Sequence, residues 1–140
     1  LASSAASDVY KDSNRITPNR FTPPHSKSTG SEPVLFLDTG SNINVLDKRV
    51  AEFFQLSGGT VQQQQFGIDG ILRITDVVEM AFALEEREYK ADFSVIDLSS
   101  AFGKVEAESG IQIHGLLGCS FMEQQKWVLD FENLTLCLPL

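Results

Sequence analysis

The chain has 140 residues, enough for one domain with a real core, and its 42% hydrophobic and 21% charged residues are ordinary for a soluble globular protein. Its net charge of −8 is uneven: Lys11, Arg15, Arg20 and Lys27 outnumber Asp8, Asp12 and Glu32 before residue 34, leaving −9 on the remainder. So acidic a body argues against nucleic acid or an anionic membrane as partner, and no apolar run approaches the roughly 18 residues of a membrane span.

The first residue is Leu1, so the chain is expected to be a fragment or a processed product, and Leu1 to Ser7 is too short and too polar for an intact signal peptide. Residues 1–33 are rich in Ser, Thr, Pro and Asn, and Pro18, Pro23, Pro24 and Pro33 interrupt regular structure. They are expected to form a flexible arm, draped on a domain that spans residues 34–140. Val34 to Leu37 predicts a short buried strand. Asp47 can cap a short helix with Val50, Phe53 and Phe54 inward, stopped by Gly58-Gly59. Thr60 to Phe66 and Ile71 to Leu84 predict two strands joined at a Gly67-Ile68-Asp69-Gly70 tip.

Glu85 to Glu88 reads as a polar turn, Tyr89 to Leu98 as a strand, and Ser99 to Gly110 as a loop with room for one helical turn. Ile111 to Leu117 predicts a strand ending at Gly118. Ser120, with Glu123 three residues on, predicts the cap of a short helix. Trp127 to Phe131 and Leu134 to Leu138 predict a last hairpin across Glu132-Asn133. The sum is a mainly β chain with one or two short helices.

The chemistry concentrates where Val34-Leu35-Phe36-Leu37 runs into Asp38-Thr39-Gly40-Ser41. An apolar strand ending on a carboxylate carries charge to the rim of a core, where a carboxylate has work to do. The same tripeptide also makes an ordinary turn, since Asp bonds its own backbone and Gly accepts positive φ. Val45-Leu46 behind it, and Leu116-Leu117-Gly118 ahead of a short helix, favour the functional reading. His25 and His114 lack partners at ligand or triad spacing, and no metal site is expected. Cys119 and Cys137 sit among apolar residues and read as buried free thiols, a disulfide being the alternative.

This ordered set resembles the retroviral-type, or retropepsin-like, aspartic proteases, and among them the bacterial and cellular single-domain members. The resemblance covers about residues 33–138. It implies a closed or partly open β-barrel of the acid-protease type and no cofactor. It implies that Asp38 is the catalytic carboxylate, that Thr39 bonds across to a partner subunit, and that Gly40 brings its amide near Asp38. Ser41 would lend Asp38 a hydroxyl. Leu116, Leu117 and Gly118 would pack behind the Asp38 loop and form part of a substrate pocket. Ile68, Asp69, Gly70 and Ile71 would form a flap over a bound peptide. Such relatives usually begin with an extra strand paired to the Asp-Thr-Gly strand, and Arg20 to Thr29 makes a poor one.

Peptide hydrolysis of this kind needs two carboxylates around one water, one accepting a proton while the other polarises the carbonyl. The chain supplies one such motif, so the active form implied is a homodimer with two Asp38 residues on its axis. Its substrate would be a peptide or protein, with apolar side chains preferred beside Ile68, Ile71, Leu116 and Leu117. One alternative is a catalytically silent dimerisation or peptide-binding module of the same fold. Another is a phosphate-binding Asp-x-Gly-Thr/Ser loop of the actin and sugar-kinase type, which needs more chain and a second phosphate loop than this sequence holds.

Overall fold

The structure is a computed structural model and describes residues 15–16, 34–56, 62–66, 70–84 and 87–139. Nine strands are described: β1 (Arg15–Ile16), β2 (Leu35–Asp38), β3 (Val45–Asp47), β4 (Gln62–Phe66), β5 (Leu72–Leu84), β6 (Arg87–Ile96), β7 (Gly115–Gly118), β8 (Val128–Asp130) and β9 (Thr135–Cys137). Three helices accompany them: α1 (Lys48–Phe53), α2 (Ser99–Ser109) and α3 (Cys119–Gln124). Seven strands form one sheet in the order β1-β2-β7-β3-β6-β5-β4, and β8-β9 form a separate hairpin. Strands β1 and β4 end the large sheet without pairing to each other, so among the described residues it is not closed into a barrel. The closed form of the expected barrel is thus not confirmed.

The centre of the sheet departs from a simple meander. Strand β7 lies between β2, to which it is parallel, and β3, to which it is antiparallel. The chain therefore leaves β2 at Asp38, loops over, and returns as β3 on the far side of a strand made 70 residues later. Parallel pairing requires a long crossover, and residues 39–114, between β2 and β7, supply it. Strand β3 is parallel to β6, which pairs antiparallel with the long β5. Strand β1 pairs antiparallel with β2, Arg15 opposite Phe36 and Ile16 opposite Leu35. The first strand thus comes from inside the residues expected as an arm, upstream of the Arg20 to Thr29 stretch.

Alternation decides which faces are buried. On β2, Leu35 and Leu37 point into the core while Phe36 and Asp38 are half-exposed. On β5, Val78, Met80, Phe82 and Leu84 share the inward face. They meet Phe93, Leu117, Phe121, Met122 and Leu136 in one cluster. Burying each such side chain contributes about 1.5–3 kcal/mol. Phe121 and Trp127 are edge-to-face at 5.3 Å between centroids, as are Tyr89 and Trp127, so α3 is keyed to the sheet by rings.

Helix α1 begins where the sequence predicts, with Asp47 accepting from the Arg49 amide at 2.8 Å. Its buried side chains are Val50 and Ala51; Phe53 is 68% exposed and Phe54 half-buried. The helix ends before Gly58-Gly59, which lie outside the described residues. Helix α2 replaces the expected loop. None of its residues is buried, so it carries little apolar periodicity to read. Gly110 closes it at φ 71°, a left-handed cap. Helix α3 follows Gly118 without a side-chain cap, so the expected Ser120–Glu123 capping box is not used.

The pole of the sheet opposite Asp38 gathers charge. Asp47 is fully buried, and burial alone would push its carboxyl up. The hydrogen bonds and charge of Arg49, a two-pronged contact at 3.0 Å on each prong, outweigh that and hold it below the usual carboxylate range. Nearby, the Val34 amide donates to His114 Nδ1 at 2.9 Å and the His114 amide donates back to the Val34 carbonyl at 2.9 Å. Nδ1 must be bare to accept. Burial, with Arg49 adding to it and against the pull of Asp47 and Glu106, lowers the imidazole below its ordinary 6.5.

A depressed histidine makes the fold most stable above its unfolded value, about pH 6.5, and weaker as pH falls through the lowered folded value. The wild-type urea midpoint is therefore expected to fall between about pH 7 and pH 5. His114→Gln should flatten that dependence, and an unchanged slope in the variant would show that His114 is not its source.

Candidate active site

Asp38 is the last residue of β2 and stands opposite Gly118, the last residue of β7, in the parallel ladder. The run Leu35-Phe36-Leu37 makes the strand, and the Thr39-Gly40 turn ends it. The Gly40 amide donates to Asp38 Oδ1 at 3.0 Å, and the Ser41 amide donates to the Asp38 carbonyl at 3.2 Å. A Cβ on Gly40 would stand 3.3 Å from Asp38 Oδ1, so glycine leaves the carboxylate room. The side chain is half-exposed, with Thr39 and Gly40 exposed beside it. It can accept a proton and meet a water.

The loop from Asp38 to Asn44 is fastened to the end of β7. The Cys119 amide donates to the Ser41 carbonyl at 2.6 Å, and the Gly118 amide donates to Asn44 Oδ1 at 2.9 Å. Gly118 lies under this loop so closely that a Cβ there would be 2.5 Å from the Ile43 carbonyl oxygen and 2.8 Å from that of Ser41. The Gly-Leu-Leu-Gly strand and the Asp-Thr-Gly-Ser loop, 77 residues apart in sequence, therefore form one unit.

The Ser41 hydroxyl has another partner than expected, and the residues behind the loop are more enclosed than a pocket lining requires. The Ser41 hydroxyl donates to the Ile43 carbonyl at 2.9 Å and receives the Ile43 amide at 3.2 Å, so it braces its own loop rather than Asp38. Leu117 is wholly buried and Gly118 is buried too. They support the loop from behind and present no surface to a ligand; of the three, Leu116 alone is half-exposed. Of the expected flap, Ile68 and Asp69 lie outside the described residues. Gly70, at φ 71°, and Ile71, 55% exposed, lead into the start of β5, where Leu72 and Ile74 are exposed as well. The β4–β5 hairpin forms as expected, Phe66 pairing with Leu72.

Sequence reading does not single out Asn44, a small polar residue in a loop with nothing at spacing to mark it. Among the described residues no group of three His, Cys, Asp or Glu side chains could hold a metal ion. Cys119 and Cys137 are free and half-buried, less enclosed than expected.

No protein-family model and no curated sequence matches the chain. Among solved structures it is similar to the retroviral protease-like domain of Ddi1 from Leishmania major. The two share 15% sequence identity at a TM-score of 0.52, over 77% of this chain and 79% of that one. At that identity the likeness concerns the fold alone: this chain has a retropepsin-like fold, mostly of strands with few helices.

Proposed function

We propose that the protein is an aspartic endopeptidase that hydrolyses peptide bonds with a water held between two Asp38 carboxylates, one from each subunit of a homodimer. The observation that carries this reading is the placing of Asp38. A half-exposed carboxylate ends a core strand, accepts the Gly40 amide at 3.0 Å, and rests on a loop bound to Gly118 and Cys119. The retropepsin-like fold supports the same reading.

Two carboxylates in contact cannot both ionise easily, so one proton is shared between them. The ionised oxygen takes a proton from the attacking water, and the protonated partner donates to the carbonyl oxygen of the scissile bond. Both roles need the pair, which is why a single chain is half a site. In this reading Thr39, which is exposed next to Asp38, bonds its counterpart across the axis. Ile68, Asp69, Gly70 and Ile71 cover the bound peptide, and Leu116 contributes apolar surface. An acidic to near-neutral optimum follows from the shared proton. Digestion of a peptide library at about pH 5 tests the reading: cleavage that Asp38→Asn abolishes supports it, and no cleavage at any pH favours the silent binding module.

A further inference from the structure

The loop that carries Asp38 is closed by a side chain with no assigned part in the chemistry. Asn44 Oδ1 accepts the Gly118 amide at 2.9 Å, while its Nδ2 donates to the Asp92 carbonyl at 3.1 Å. The Asn44 carbonyl accepts the Ser94 amide at 2.9 Å. One residue thus joins three places: the end of the Asp38 loop, β7 opposite Asp38, and β6. Reversing the amide would set its NH₂ against the Gly118 N–H and its oxygen against a carbonyl, so the two contacts fix the orientation. Only a carboxamide on one methylene meets both demands. Aspartate keeps the acceptor and loses the donor; alanine loses both.

The consequence reaches Asp38 through the backbone. Gly118 is the ladder partner of Asp38. Between Asp38 and Asn44 the loop has one further tether to β7 and α3, the Cys119 amide on the Ser41 carbonyl. Gly40 N–H, which holds Asp38 Oδ1, stands on the stretch those contacts span. Without the Asn44 side chain, residue 44 keeps its backbone bond to Ser94 and the loop its Ser41 tether, but the Gly118 amide loses its partner. The end of β7 can then draw away from the loop and shift its ladder partner Asp38 against the Gly40 amide.

We propose that Asn44 is a positioning residue that sets the orientation of the Asp38 carboxylate by clamping its loop to β7 and β6. The effect on hydrolysis rests on the aspartic-peptidase reading; the effect on Asp38 geometry does not. A shift of reacting groups by about 1 Å costs on the order of 100-fold in rate. Asn44→Ala is expected to lower kcat by about 100-fold with KM within about twofold, and Asn44→Asp to lose about tenfold. Leu98→Ala, a buried change at the start of α2 on the opposite pole, supplies a comparably destabilised control whose kcat stays at the wild-type value.

A second measurement is independent of turnover. Gly40 N–H is bound to Asp38 Oδ1, so its proton chemical shift tracks the ionisation of that carboxyl. In Asn44→Ala the pH-dependent excursion of this signal should shrink, while in Leu98→Ala it stays as in wild type. If both variants behave alike in either measurement, Asn44 is a structural residue and the proposal is overturned. If the wild type cleaves nothing, the peptidase reading falls and the Gly40 signal decides for Asn44 by itself: a smaller excursion upholds the clamp, an unchanged one removes it.

Discussion

Replacing Asp38 by Asn is expected to lower kcat/KM by at least about 10³-fold while leaving the urea midpoint and the oligomeric state unchanged. Asparagine has the same shape, and its Oδ1 can still accept the Gly40 amide that now binds the carboxylate at 3.0 Å. The side chain is half-exposed, so no buried charge is gained or lost. The change removes proton exchange, and in a homodimer it does so on both sides of the water at once. Acid–base groups singly are worth about 10² to 10⁴ in rate, so loss of the pair belongs at the upper end. Steady-state kinetics on one good peptide, with urea unfolding alongside, checks both halves. Activity within tenfold of wild type would place the chemistry elsewhere.

The second large effect is predicted behind the site. Gly118→Ala places a methyl group 2.5 Å from the Ile43 carbonyl oxygen and 2.8 Å from the Ser41 carbonyl oxygen. These are backbone atoms and cannot turn away. Either the loop lifts, breaking the 2.6 Å bond from Cys119 and the 2.9 Å bond to Asn44, or β7 shifts within a core that is already packed. Overpacking of this kind costs about 3 kcal/mol. Chemical denaturation should show that loss. Peptide cleavage should also fall well beyond what the unfolded fraction explains, because relief of the clash moves the loop carrying Asp38. A variant with wild-type stability would mean that the loop and β7 are further apart than the structure places them.

Much of this architecture was readable from residue order, for identifiable reasons. Strand β2 stands out because four apolar residues stop at a carboxylate and a glycine. Strands β5 and β6 stand out because long alternating runs leave one face for the core. Helix α2 is hidden because no residue on it is buried, so no apolar stripe marks it; its one legible signal is Gly110, which takes the left-handed cap at φ 71°. Strand β3 is hidden in what reads as the closing of a turn, since Val45-Leu46-Asp47 is three residues long and buried throughout. Alternation cannot show where a strand is covered on both sides.

The roles within the site divide along the same line. The place of Gly40 is legible because its amide and the clearance beside Asp38 Oδ1 demand a residue without a side chain. The Ser41 hydroxyl is misassigned from sequence because a serine beside a carboxylate is read as its partner, whereas the nearer Ile43 carbonyl and amide capture it. Leu117 and Gly118 pack behind the Asp38 loop as expected, but their full burial was not legible, because a strand's facing cannot be fixed until its neighbours are known. Asn44 is invisible because its two partners, Asp92 and Gly118, are 48 and 74 residues away.

The claim on which the function depends is that one Asp38 is completed by a second copy. Titration calorimetry with a statine-type peptide inhibitor tests it most directly, since such a molecule occupies the position of the water between the two carboxylates. The account predicts one inhibitor bound per two chains, with sedimentation showing a dimer in the complex. One inhibitor bound to each monomeric chain would contradict it.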